Sequence, residues 1–165
     1  MFWDPIRKRL EEELLAEKLR GIIRYYCPVC GECPEDMSLV RFNGRELLLG
    51  EYFRFDRVAV TDLWREISKT GGLTQPEAWE RGIYAALENG VLDAPMVYYT
   101  AHKVINSSIE KSLYGENALA RMYALLDRRT GKRRLKRLAD KIDEEPEWLR
   151  QFYLIRLEAE GITYA

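Results

Sequence analysis

The sequence predicts an α+β fold: an N-terminal helix, a small antiparallel β-meander with a hairpin, and a C-terminal bundle of about six helices. Three observations predict it. Asn43-Gly44 stands between two short β-forming runs, and this dipeptide takes the positive φ angles of a type I′ turn. From Thr61 onward, helix caps precede apolar residues repeating at helical spacing. Asp4-Pro5 opens a charged amphipathic segment at the amino end.

Taken in order, Asp4 reads as an N-cap with Pro5 at the first helical position. Arg7, Lys8 and Arg9 stand four residues before Glu11, Glu12 and Glu13, and Ile6, Leu10 and Leu14 supply the apolar stripe. The helix is expected over residues 4–20, ending at Gly21. Ile22-Ile23-Arg24-Tyr25-Tyr26 reads as a strand. In the hairpin, a two-residue loop places Val40 opposite Leu47 and Arg41 opposite Glu46. Tyr52-Phe53-Arg54-Phe55 extends the same sheet. Thr61 caps a helix over 61–68, and Thr74 with Glu77 forms a capping box for one ending at Gly90. Asp93-Ala94-Pro95 starts a helix reaching about Asn106, and Ser107 with Glu110 makes a second box. Helices over 117–129 and 132–143 flank Gly131. Pro146 precedes a last amphipathic helix with Trp148, Phe152 and Ile155. Gly71-Gly72 is the expected joint.

A chain of 165 residues fits one domain, 1–165, with a helix-plus-hairpin part (1–57) and a helical part (58–165). Lys+Arg 26 against Asp+Glu 27 gives a net charge of -1, so only local clustering can argue for a polyanion partner. No apolar run reaches the roughly 18 residues of a membrane span, and the amino end lacks the order of a signal peptide. Three cysteines crowded together suit a reducing interior better than a disulfide framework. The expected location is cytoplasmic, with no membrane partner. Exposed aromatics leave a homo-oligomer open.

The densest charge lies in Asp127-Arg128-Arg129-Thr130-Gly131-Lys132-Arg133-Arg134-Leu135-Lys136-Arg137. Arg128 and Arg129 read as the end of a helix, where cations complement the macrodipole. Lys132, Arg133 and Arg134 open the next helix, where that dipole disfavours them. Leu135, Leu138, Ala139 and Ile142 face the core, so Arg133 and Arg137 project outward, flanked by Lys136 and Lys141. Such a helix start can cradle phosphate or carboxylate. Two readings stand open: acids of residues 140–145 or 11–13 neutralise the patch, or it binds nucleic acid or another polyanion. Gly131-Lys132 is no Walker A loop, because Arg133 follows the lysine and Leu126 replaces the first glycine.

Cys27-Pro28-Val29-Cys30-Gly31-Glu32-Cys33 begins like a zinc knuckle. A closed site needs a fourth ligand, and His102 is the single histidine. Cys27, Cys30 and Cys33 also match the spacing of three ferredoxin ligands, with Met37 where the fourth would fall. Zinc is favoured over iron–sulfur, and reduced thiols over either; His102 reads as a core histidine beside Tyr98 and Tyr99. No nucleophile–base–orienter set is visible.

Phe2-Trp3-Asp4-Pro5-Ile6-Arg7-Lys8-Arg9-Leu10-Glu11, Ser108-Ile109-Glu110-Lys111-Ser112-Leu113, Leu125-Leu126-Asp127-Arg128-Arg129-Thr130-Gly131-Lys132-Arg133-Arg134-Leu135 and Phe152-Tyr153-Leu154-Ile155-Arg156 together resemble a family of small bacterial proteins of unknown function. The likeness is strong at both ends and weak between them. It implies an N-terminal helix, a hairpin and a helical remainder. It carries no activity, cofactor or site residue, and the cysteine loop departs from it. The expected function is therefore a non-enzymatic binding or adaptor protein without a resident cofactor. The competing class is a zinc, iron–sulfur or thiol-redox protein.

Overall fold

The computed structural model describes residues 2–27, 39–48 and 54–164. Helix α1 (Trp3–Lys8) begins one residue earlier than expected, with Phe2 at the cap position and Asp4 in the first turn, paired to Arg7 at 2.7 Å. It widens into a π-helical stretch, Arg9–Leu14, closed by the Leu15 N–H donating to the Leu10 carbonyl at 2.8 Å. The expected helix over 4–20 is thus cut at Leu15. A 3₁₀ turn, Glu17–Leu19, follows. The cause is tertiary. Leu15 forms an antiparallel bridge with Asp127, in which Ala16 N–H donates to Leu126 (2.9 Å) and Arg128 N–H to Leu14 (2.7 Å).

Strands β1 (Ile23–Tyr25), β2 (Val40–Phe42) and β3 (Arg45–Glu46) make an antiparallel sheet in that order. Asn43 and Gly44 carry φ of 51° and 75°, as the turn requires. Arg41 pairs with Glu46, and Leu47 N–H donates to Val40 at 3.0 Å, which is the expected register. The π-helical stretch is fastened to β1 by Glu11, which is buried. Its carboxylate accepts from Tyr25 N–H (2.8 Å) and pairs with Arg24 (2.6 Å).

Strand β4 (Arg54–Phe55) does not extend this sheet. It pairs in parallel with β5 (Val91–Leu92). A parallel partner needs a long crossover, here the helices α2 (Arg57–Lys69) and α3 (Gln75–Glu88), so no local pattern announces it. Tyr52 and Phe53 lie outside the described residues. Helix α2 starts earlier than expected, because Asp56 caps it by accepting from Ala59 N–H at 2.9 Å. Thr61 instead sits inside the helix and donates to the Arg57 carbonyl. The capping box at Thr74 and Glu77 is present in full.

That box gives a first test. Thr74 N–H and Oγ1 both donate to the Glu77 carboxylate, at 2.8 and 2.7 Å, and hold it below the ordinary carboxylate range. A depressed folded-state pKa stabilises above the ordinary value and ceases to as pH falls through the folded one. Thr74→Ala should therefore lower the melting temperature by roughly 2–4 °C at neutral pH. In acid the gap should narrow. A gap that widens in acid would contradict the assignment.

Helices α4 (Pro95–Ile105), α5 (Ile109–Leu113), α6 (Ala118–Leu126), α7 (Lys132–Ala139) and α8 (Glu147–Glu160) complete the helical part. With α2 and α3 they make seven α-helices among the described residues after β4, beside a 3₁₀ turn at Ile142–Glu144. Ser108 rather than Ser107 caps α5, accepting from Lys111 N–H, which places Lys111 where a box needs an acid. Helix α6 is the central element: Met122, Tyr123, Ala124, Leu125 and Leu126 are all buried. Trp148 ties α8 to α3 by donating its indole N–H to the Leu87 carbonyl at 2.9 Å. One apolar cluster runs from Trp3 to Ile162. No described helix is long and apolar enough to cross a membrane.

Candidate functional site

The basic run forms a sharp junction between α6 and α7, and the expected helix over 117–129 stops at Leu126. Asp127 turns out of the helix into the bridge with Leu15, so Arg128 and Arg129 do not close a helix. The Asp127 carboxylate is buried. It accepts from the Arg129 backbone N–H (2.8 Å) and is forked by the Arg129 guanidinium at 2.7–3.1 Å. This hydrogen bonding pushes the Arg129 pKa further up. Thr130, fully buried, donates its hydroxyl to the Ala124 carbonyl at 2.6 Å. Arg134 donates to the Arg129 carbonyl (3.1 Å) and pairs with Glu110 of α5. Arg129 and Arg134 are therefore parts of the joint.

Beneath them lies a buried arginine that the charge run does not contain. Arg156 of α8 is buried, donates to the carbonyls of Leu125 (3.1 Å) and Thr130 (3.1 Å), and pairs with Glu160. The available signal was an arginine amid Phe152, Tyr153 and Leu157, where the face of α8 is otherwise apolar. With Ala16, Glu17, Lys18, Arg128, Arg129 and Glu160 it lines an open cleft of about 490 Å³.

The remaining cations are different. Leu135 and Leu138 anchor α7 in the core, which turns Arg133, Lys136 and Arg137 to solvent. Arg128 is exposed beside the cleft. None of these four forms an ion pair among the described residues, and Lys132 reaches Glu160 only at 3.9 Å. Of the acids that could neutralise the patch, three are engaged with other partners. Glu11 serves Arg24 and Tyr25, Glu13 lies nearest Arg9, and Glu145 binds Arg121 and Tyr153. Gly131 offers no side chain to cap α7.

The cysteine loop is only partly described. Cys27 is buried, while Cys30 and Cys33 lie outside the described residues. His102 is not a core residue. Helix α4 buries Val97, Thr100, Ala101 and Val104, and His102 falls off that face, exposed and stacked on Tyr98 with ring centroids 6.3 Å apart. Among the described residues no three His, Cys, Asp or Glu side chains cluster as a metal site.

No curated protein and no solved structure matches the chain. A family profile does, over residues 2–157, from the cap of α1 through most of α8 and across the whole basic junction. The chain belongs to the SF0329 protein family.

Proposed function

We propose that this protein is a non-enzymatic binding or adaptor protein that docks nucleic acid, or a comparable polyanion, on the solvent face of α7. One observation carries the reading. After Arg129, Arg134 and Arg156 have taken their internal partners, Arg128, Arg133, Lys136 and Arg137 stay exposed without ion pairs among the described residues, in a chain of net charge -1. Of the four, Arg133 stands in the first turn of α7, where a cation opposes the helix dipole and folding gives no reason for it, while Lys136 and Arg137 lie in the last turn, where the dipole favours them. Arginine forks suit phosphate oxygens, and the family match spans the junction.

Arg133→Glu/Arg137→Glu should abolish binding to duplex DNA or RNA in a gel shift. Both residues are exposed and unpaired among the described residues, so the melting temperature should stay within about 2 °C. Arg134→Glu is the contrasting variant, because it breaks the tie to Glu110 and should lower stability. Binding by the unaltered chain should weaken with salt, at a log–log slope of roughly -3 to -4 if the four cations each neutralise a phosphate. Absence of any shift at low salt would end the proposal.

A further inference from the structure

A second concavity, of about 170 Å³, is framed by α3, α4, α5, α6 and the loops joining the last three. Cavities of about this volume accept a single six-membered ring. Val104 and Ala120 give it apolar wall. Its polar wall is unusual. Ser112, 6% exposed, and Thr100, 2% exposed, both line it. Thr100 Oγ1 accepts from Asn117 at 3.2 Å, but neither hydroxyl donates to any described residue. Each hydroxyl therefore keeps a proton free to donate to a molecule held in the cavity.

The charges at the rim divide in two. Lys103 is paired with Glu80 at 3.2 Å, and Glu80 also accepts the Tyr84 hydroxyl, so that group is satisfied internally. Lys111 and Glu116 also line the cavity; Lys111 lies near enough to help hold the Glu80 carboxyl below its ordinary range, but neither it nor Glu116 forms an ion pair with any described residue. Gly115 brings them together: a Cβ there would stand 2.8 Å from the Lys111 carbonyl oxygen, so the loop closes on α5 only without a side chain. An ammonium and a carboxylate lining one cavity complement a molecule carrying both charges.

We propose that this cavity binds a small zwitterion of the free α-amino acid class. Its carboxylate meets Lys111 and the Ser112 and Thr100 hydroxyls, its ammonium faces Glu116, and a short side chain lies against Val104 and Ala120. A simple carboxylate or phosphate would leave Glu116 repelling it, and a simple amine would oppose Lys111. The volume excludes large side chains.

Titration calorimetry of the full chain with glycine, alanine, serine and valine tests this, with acetate, ethylamine and inorganic phosphate as controls. At least one amino acid should bind about tenfold more tightly than any control. Lys111→Ala and Glu116→Gln alter exposed residues, should leave melting unchanged, and should each weaken binding about tenfold. Ala120→Leu should fill the cavity and abolish binding; if it fails to fold, the two surface variants still decide. No heat from any amino acid at millimolar concentration would overturn the proposal. So would equal binding of acetate and alanine, or unchanged binding in both surface variants.

Discussion

Arg156→Ala should cost about 3–5 kcal/mol of stability, the range seen when one partner of a buried ion pair is removed. The guanidinium spans three acceptors at once: the Leu125 and Thr130 carbonyls and the Glu160 carboxylate. Alanine would leave both carbonyls unsatisfied and Glu160, whose side chain is 15% exposed, with only the distant Lys132. The α6–α7 junction depends on the same carbonyls, so the loss should loosen the joint and not merely the end of α8. At about 2–4 °C per kcal/mol for a chain of this size, the melting temperature should fall by roughly 6–20 °C. Arg156→Lys should recover only part, because one ammonium cannot reach all three acceptors in the plane of the fork. Urea unfolding of both variants measures this. A loss below about 1 kcal/mol for alanine would mean the network contributes little.

The second large effect is expected at Gly82, where α3 crosses α2. A Cβ there would lie 2.9 Å from both the Cα and the backbone nitrogen of Trp64. Backbone cannot rotate aside as a side-chain tip can, so the two helices must separate. Alanine recovers up to about 1 kcal/mol of helix propensity, yet overpacking of this kind costs about 1–3 kcal/mol. Gly82→Ala should therefore destabilise the chain by about 1–2 kcal/mol, and Gly82→Val by about 3. Trp64 and Trp79, whose rings meet edge-on at 5.6 Å, sit at this crossing. Their fluorescence should shift to the red as the helices part. A stabilised Gly82→Ala would show that the crossing has room to spare.

The structure bears out those parts of the expected fold that depend on neighbours in the chain. The Asn43-Gly44 turn and its register follow from two residues that tolerate positive φ. The Thr74–Glu77 box follows from reciprocal hydrogen bonds three residues apart. The outward face of α7 follows from the spacing of Leu135 and Leu138. In the basic run, the concentration of positive charge is legible in the sequence, but which cations take internal partners is not. Which arginines are spent internally depends on Asp127 leaving its helix and on Glu110 arriving from α5.

Local sequence by itself therefore determined the class of fold, the hairpin, most helix existence and the concentration of positive charge at one joint. Hydrogen-bond caps, turn dihedrals and apolar periodicity act over a few residues and can be read there. Tertiary structure alone decided where the first helix stops, because Leu15 is claimed by Asp127. It also decided that Arg54-Phe55 pairs with Val91-Leu92, that His102 faces solvent, and that Arg156 is buried beneath the junction. Each of these rests on a partner far along the chain. A buried polar group takes whichever partner the packed core brings within reach, because leaving it unpaired costs more than bending a helix end to meet it.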